Sequence, residues 1–205
     1  MGLSKEVIMQ GLDIVCQSEP KMAVALETCG YPEPRIRPEG YATLLRTILG
    51  QQVSVASAAS VWNKLETLLG HGCPPDKLIA RDFDELRACG MSRQKQGYAR
   101  SLAALILSGE LDLENLPKDD EQAIAKLVQI KGIGRWSAEI YLLFALGRQD
   151  IWPAGDLAVQ IGIGKIMGHD DRPSEQNLRD MALPWSPYRG AVAIFTWHMY
   201  NTTAL

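Results

Sequence analysis

Residues 127–146 read LVQIKGIGRWSAEIYLLFAL. Two apolar runs with helical spacing flank Lys131, Gly132, Ile133 and Gly134, so the chain must reverse direction within a few residues. A helix over 121–129 ends at Ile130, and a second helix starts at Arg135. Glycine at 132 and 134 permits a positive φ, or a close approach that any side chain would block. The N–H groups opening the second helix have no intrahelical acceptor and lie at the positive end of its dipole. Such a turn can receive a phosphate oxygen, and Lys131 and Arg135 add mobile positive charge beside it. A glycine-broken helical hairpin with no ligand would show the same glycines, so the rest of the chain has to discriminate.

Outward from this stretch, apolar residues recur at spacings of three and four, as in Tyr41, Leu44, Leu45 and Ile48 and again in Leu102, Leu105 and Ile106. Sustained alternation is absent, which predicts an all-α protein. Breakers at 31–40 (YPEPRIRPEG), 70–76 (GHGCPPD) and 89–92 (CGMS, with Ser92 as an N-cap) divide the helices. LPKDD at 116–120 opens another, and DIWPAGD at 150–156 and LPWSPYR at 183–189 interrupt the remainder. These boundaries predict about ten helices in two lobes around a central cleft: residues 38–148 in one, residues 1–37 and 149–205 in the other. IGIGK at 161–165 is not a phosphate loop. Val159 stands where the first glycine belongs and Ile166 where the hydroxyl belongs, so close helix packing is the better reading.

Composition narrows the function class. With 205 residues and 46% hydrophobic content, the chain can bury one sizeable core or two smaller ones. No apolar run reaches the roughly 18 residues of a membrane span, and MGLSKEVIMQGLDIVC lacks the pattern of a signal peptide, so a cytoplasmic location away from membranes is expected, or a nuclear one in a eukaryote. Cys16, Cys29, Cys73 and Cys89 form no C-x-x-C pair, so they read as reduced packing residues, with neither zinc nor an iron-sulfur cluster expected. A net charge of −3 argues against indiscriminate polyanion binding but leaves room for a local basic face.

LVQIKGIGRWSAE, followed twenty residues after Trp136 by WPAGD, resembles the helix-hairpin-helix plus Gly/Pro-rich loop and aspartate signature of the base-excision DNA glycosylase superfamily. TILGQQVSVASAASVWNKL at 47–65 and WSPYRGAVAIFTWHMY at 185–200 are similar to the 3-methyladenine DNA glycosylase II branch, so the resemblance spans about 40–200. Longer bacterial members carry an additional N-terminal α/β domain, which makes this chain look like a compact version.

The resemblance implies a parts list. Such an enzyme flips a damaged nucleotide out of duplex DNA and hydrolyses its N-glycosidic bond. Asp156 is the implied catalytic carboxylate, stabilising an oxocarbenium-like transition state or orienting water; an anion at a helix start is favoured by the helix dipole, which suits a charge stabiliser. Trp136 stands where strand-cutting relatives have a Schiff-base lysine, so no lyase step is expected. With Trp185 and Tyr188, it would supply aromatic walls for the base. Lys131, Gly132, Ile133, Gly134 and Arg135 would hold the DNA backbone, and Gln51 and Gln52 occupy the wedge position, where a bacterial member has leucine in place of Gln52. Ile140 replaces a pocket tyrosine of that member. The carbonyls of Val128, Ile130 and Gly132 correspond to those that hold a structural monovalent cation in the family, and no other cofactor is implied.

One carboxylate without a paired general acid favours substrates that leave readily, and alkylated purines do so because they are cationic. The expected partner is therefore duplex DNA bearing 3-methyladenine or 7-methylguanine, bound by a monomer. A same-fold glycosylase for another damaged or mismatched base, and a non-catalytic helix-hairpin-helix DNA-binding module, are the alternatives.

Overall fold

The structure, a computed structural model, describes residues 2–202. Among these there is no β-strand. In chain order come α1 (Lys5–Ser18), α2 (Pro20–Cys29), α3 (Tyr41–Gly50), α4 (Val55–Leu69), α5 (Pro75–Ile79), α6 (Phe83–Ala88), α7 (Arg93–Leu107), α8 (Asp120–Leu127), α9 (Arg135–Phe144), α10 (Leu157–Met167), α11 (Glu175–Met181) and α12 (Arg189–Thr202), with a 3₁₀ turn at Leu183–Trp185. The excess over the expected ten comes from short helices such as α5 and α6, whose few residues leave little periodicity to read.

Local chemistry sets the starts. Ser4, Ser54, Ser92, Asp119, Asp156 and Ser174 each turn a side-chain oxygen to a first-turn N–H, and Asp82 and Glu85 form a reciprocal capping box before α6. The N-cap expected at Ser92 is present. α8 stops at Leu127, earlier than the expected 129, because after the Val128 N–H, which still reaches Ile124, those of Gln129 and Ile130 bond only three residues back, to Lys126 and Leu127.

Two compact units divide the chain: residues 1–37 with 139–205, and residues 38–138. In the second unit α7 packs on α3, α5 and α6, burying Leu44, Leu45, Ile48, Leu78, Leu86, Leu102 and Ala103. Lys95 Nζ donates to the Leu49 carbonyl at 2.7 Å and so finishes the open end of α3. Arg100 does the same for the corner after α5, donating to the carbonyls of Ile79 and Arg81.

In the first unit α12 is apolar nearly all round, from Gly190 to Trp197, and is therefore the central helix, packed by α1, α2 and α10. A Cβ added at Gly162 would stand 2.4 Å from Thr196 Cγ2, so IGIGK brings α10 against α12 as close packing predicts. The second boundary falls inside α9, before Glu139, where 148/149 was expected. Burial explains the shift. Ile140 to Ala145 are buried in the first unit, the Phe144 ring meets Trp197 edge-on at 5.5 Å, and the Arg37 N–H donates to the Phe144 carbonyl at 2.8 Å. Glu139, 2% exposed, lies 3.8 Å from Arg179 of α11.

The four thiols are unbridged. Cys73 and Cys89 are buried, and burial pushes Cys73 up to about 11, so it stays a protonated packing group. Among the described residues no helix is long and apolar enough to cross a membrane.

The two glycines of the 127–146 stretch make separable predictions. Gly132 has φ +85°, and its absent Cβ would lie 2.2 Å from the Tyr98 ring, whereas nothing lies within 4 Å of that position at Gly134. Gly132→Ala is expected to destabilise the fold by about 2 kcal/mol or more, from left-handed strain plus the displaced ring. Gly134→Ala is expected to stay within about 0.5 kcal/mol of wild type. Urea unfolding of the two variants separates them.

Candidate active site and DNA-contact turn

The turn between α8 and α9 is held from below. Ile130 and Ile133 are buried at 1% and 4% exposure, and the Ile133 N–H donates to the Ile130 carbonyl at 3.0 Å. With both isoleucines turned inward, Lys131 and Gly134 face outward and are exposed. The Lys131 N–H donates to Ser101 Oγ of α7 at 3.2 Å, and the Tyr98 ring fills the space under Gly132. Gln51 reaches across from the α3–α4 turn, its Nε2 donating to the Gly132 carbonyl at 2.7 Å. The two turns expected to meet DNA are thereby fastened to each other within one unit.

Other residues of that turn sit differently from expectation. Arg135 is not a mobile cation: its guanidinium makes a two-pronged pair with Glu121 at 2.8 and 2.5 Å, because α8 presents that carboxylate beside the start of α9. Gln52 is exposed and has φ +56°, a left-handed conformation uncommon for a residue with a Cβ. Held strain of this kind gathers at functional turns. Beside it Val53 and Val55 are 43% and 88% exposed, and Val128 and Trp136 in the same unit are 40% and 48% exposed. Apolar side chains left in water around two polar turns suit a contact surface.

Asp156 lies in the other unit. It is the N-cap of α10, and its Oδ1 accepts from Val159 N at 3.0 Å and from Trp197 Nε1 at 3.1 Å. Capping and an orienting role are therefore compatible in one side chain. The Arg35 guanidinium sits 5.5 Å over the Trp197 ring. Burial and neighbouring Arg37 draw Arg35 below the usual arginine range, while Asp156 draws it back up. Neither Arg35 nor Trp197 was singled out from the sequence. Trp197 stands 41 residues from Asp156, and the only available signal was its place within the 185–200 segment.

The remaining aromatic expectations divide. Trp185 belongs to the core rather than to an open base pocket: it is 3% exposed and meets Trp152 edge-on at 5.6 Å, since the 3₁₀ turn points it inward. Tyr188 is half-buried, packed where a Cβ on Gly11 of α1 would come within 3.3 Å. Ile140 is buried at 5%.

Residues 45–187 match the family described as HhH-GPD superfamily base excision DNA repair protein. This chain belongs to the HhH-GPD superfamily. Within it, the chain is 30% identical over 171 residues to DNA-3-methyladenine glycosylase 1 of Schizosaccharomyces pombe, covering 82% of this chain and 74% of that one. Its fold matches the crystal structure of a DNA-3-methyladenine glycosidase from Bacillus halodurans with TM-score 0.86 and 27% identity, over 94% and 89% of the two chains. It also matches the S. pombe 3-methyladenine DNA glycosylase in complex with abasic DNA, with TM-score 0.73 and 30% identity over 90% and 92%. The chain is a base-excision repair glycosylase of all-helical HhH-GPD fold.

The indole bond to Asp156 gives this glycosylase a test. Trp197→Phe keeps an aromatic ring, though a smaller one, and removes the donor. Loss of a hydrogen bond to a carboxylate is worth about 1.5–3 kcal/mol, so base release is expected to slow by about tenfold to a hundredfold in single-turnover assays, with circular dichroism unchanged. A wild-type rate would show that Trp197 does not orient Asp156.

Proposed function

We propose that the chain is a monofunctional DNA glycosylase that acts as a monomer on duplex DNA and hydrolyses the N-glycosidic bond of 3-methyladenine and 7-methylguanine. The observation that carries this reading is the fixing of Asp156 Oδ1 by one backbone N–H and one indole N–H at the motif position. Both donors fix the orientation of the carboxylate before any substrate arrives, so little reorganisation remains when positive charge grows on the sugar. The names of the S. pombe and B. halodurans relatives support the substrate class.

The steps follow from the groups in place. Backbone amides around Gly132 and Gly134, with Lys131, hold phosphates without reading bases. Gln52, carried on its left-handed turn, enters the stack as the nucleotide leaves it. Trp136 offers an electron-rich face to the cationic base, worth about 0.5 to 2 kcal/mol over a neutral one. Asp156 then stabilises the oxocarbenium-like sugar while water attacks, and the alkylated base departs without a paired acid. The carbonyls of Val128, Ile130 and Gly132 would hold a monovalent cation that ties turn to phosphate. The second lone pair of the Gly132 carbonyl, beyond the one taken by Gln51, suits that donor set. Tryptophan at 136 supplies no amine for a Schiff base, so the product is an intact strand with an abasic site.

Two measurements check the proposal. Asp156→Asn is expected to lower base release by about 10² to 10³ while binding to an abasic-site analogue persists; wild-type turnover in that variant would overturn the assignment. Incubation with methylated duplex is expected to release 3-methyladenine and 7-methylguanine well ahead of uracil from a matched duplex, with no covalent adduct trapped by borohydride. Faster uracil release, or a robust trap, would shift the reading to another branch of the superfamily.

A further inference from the structure

At the corner where α6 passes into α7, Phe83, Arg87, Met91, Ser92 and Arg93 line a pocket of about 470 Å³. Two of its lining residues are tied together: Gln96, 2% exposed, donates from Nε2 to the carbonyls of Phe83 at 3.1 Å and Met91 at 3.3 Å, and Met91 is itself buried. Arg93 holds its guanidinium 5.2 Å over the Phe83 ring. Arg87 and Arg93 are both exposed, and neither carries a carboxylate partner among the described residues, although acidic residues outnumber basic ones 24 to 21. Arg81, Arg135, Arg179 and Arg189, by contrast, each carry a carboxylate partner. Two guanidiniums without a carboxylate partner beside an aromatic ring suit a phosphate that carries a sugar or base with it.

The pocket shares its helix with the hairpin. Arg93 opens α7, and the same helix carries Tyr98 under Gly132 and Ser101 at Lys131. At about 1.5 Å of rise per residue, those two stand roughly 8 and 12 Å along α7 from Arg93. One strand of DNA advances about 3.4 Å per nucleotide, so a strand that followed α7 from the hairpin would reach this corner within roughly four nucleotides. We propose that the α6–α7 corner is a second DNA-backbone site, in which Arg87 and Arg93 bind phosphodiester oxygens and the half-buried Phe83 ring receives the adjoining sugar. The inference rests on the reading of this chain as a duplex-binding glycosylase and extends its footprint beyond the hairpin.

Fluorescence anisotropy with an undamaged 25-base-pair duplex, between 50 and 200 mM salt, tests it without relying on the lesion. Each lost phosphate contact flattens the plot of log affinity against log salt by about 0.9, so Arg87→Ala/Arg93→Ala is expected to be shallower than wild type by about two units. Arg87→Lys/Arg93→Lys, which keeps the charge, is expected to retain most of the slope. A wild-type slope in the folded alanine variant would overturn the proposal. So would equal flattening in the lysine and alanine variants, because that would trace the loss to packing rather than to charge. Release of methylated bases by the wild type, measured separately, tests the substrate reading on its own.

Discussion

The seat of Gly132 on Tyr98 is the constraint from which the DNA-contact surface follows. A left-handed glycine over an aromatic ring lets the chain reverse between α8 and α9 in very few residues, and it keeps the turn flush with α7. The neighbouring bonds all presuppose that seat. Ser101 meets Lys131, and Gln51 meets the carbonyl of Gly132 itself, so the α3–α4 turn is aligned to the hairpin through one atom of one residue. A side chain at that position would lift the turn and break both.

Rigidity of this kind matters because phosphate contacts position a duplex without reading it. What the backbone amides contribute depends on where they are held. Around them the protein leaves valines and a tryptophan exposed and keeps Gln52 in a strained conformation, whereas the buried isoleucines on the inner side absorb the hydrophobic load. Polar backbone outward and apolar side chains inward is the division of labour that a short turn can sustain.

Asp156 shows the same economy in the other unit. As the N-cap of α10 it satisfies a helix-start N–H, and with the same oxygen it accepts the indole proton of Trp197. The indole in turn lies under Arg35 and against Phe144, so a central buried helix sets the orientation of a carboxylate that a cap alone would leave freer to rotate. An electrostatic stabiliser is effective when its orientation is fixed beforehand.

The sequence by itself determined the helical class, the start of α9 at Arg135, the close packing written into IGIGK, and the order of motifs that places Asp156 after the hairpin. Each of these is local: a period of three to four, a capping side chain, a glycine spacing. Only the tertiary structure decided that Arg135 is held by Glu121, that Trp185 is core, that Trp197 and Arg35 gather at Asp156, and that α9 is shared between two compact units. Those outcomes depend on which helix faces meet, and residues 14 to 162 positions apart carry no periodic signal of their meeting. Aromatic residues in particular read alike in sequence whether they wall a site or fill a core, because burial and not residue type separates the two.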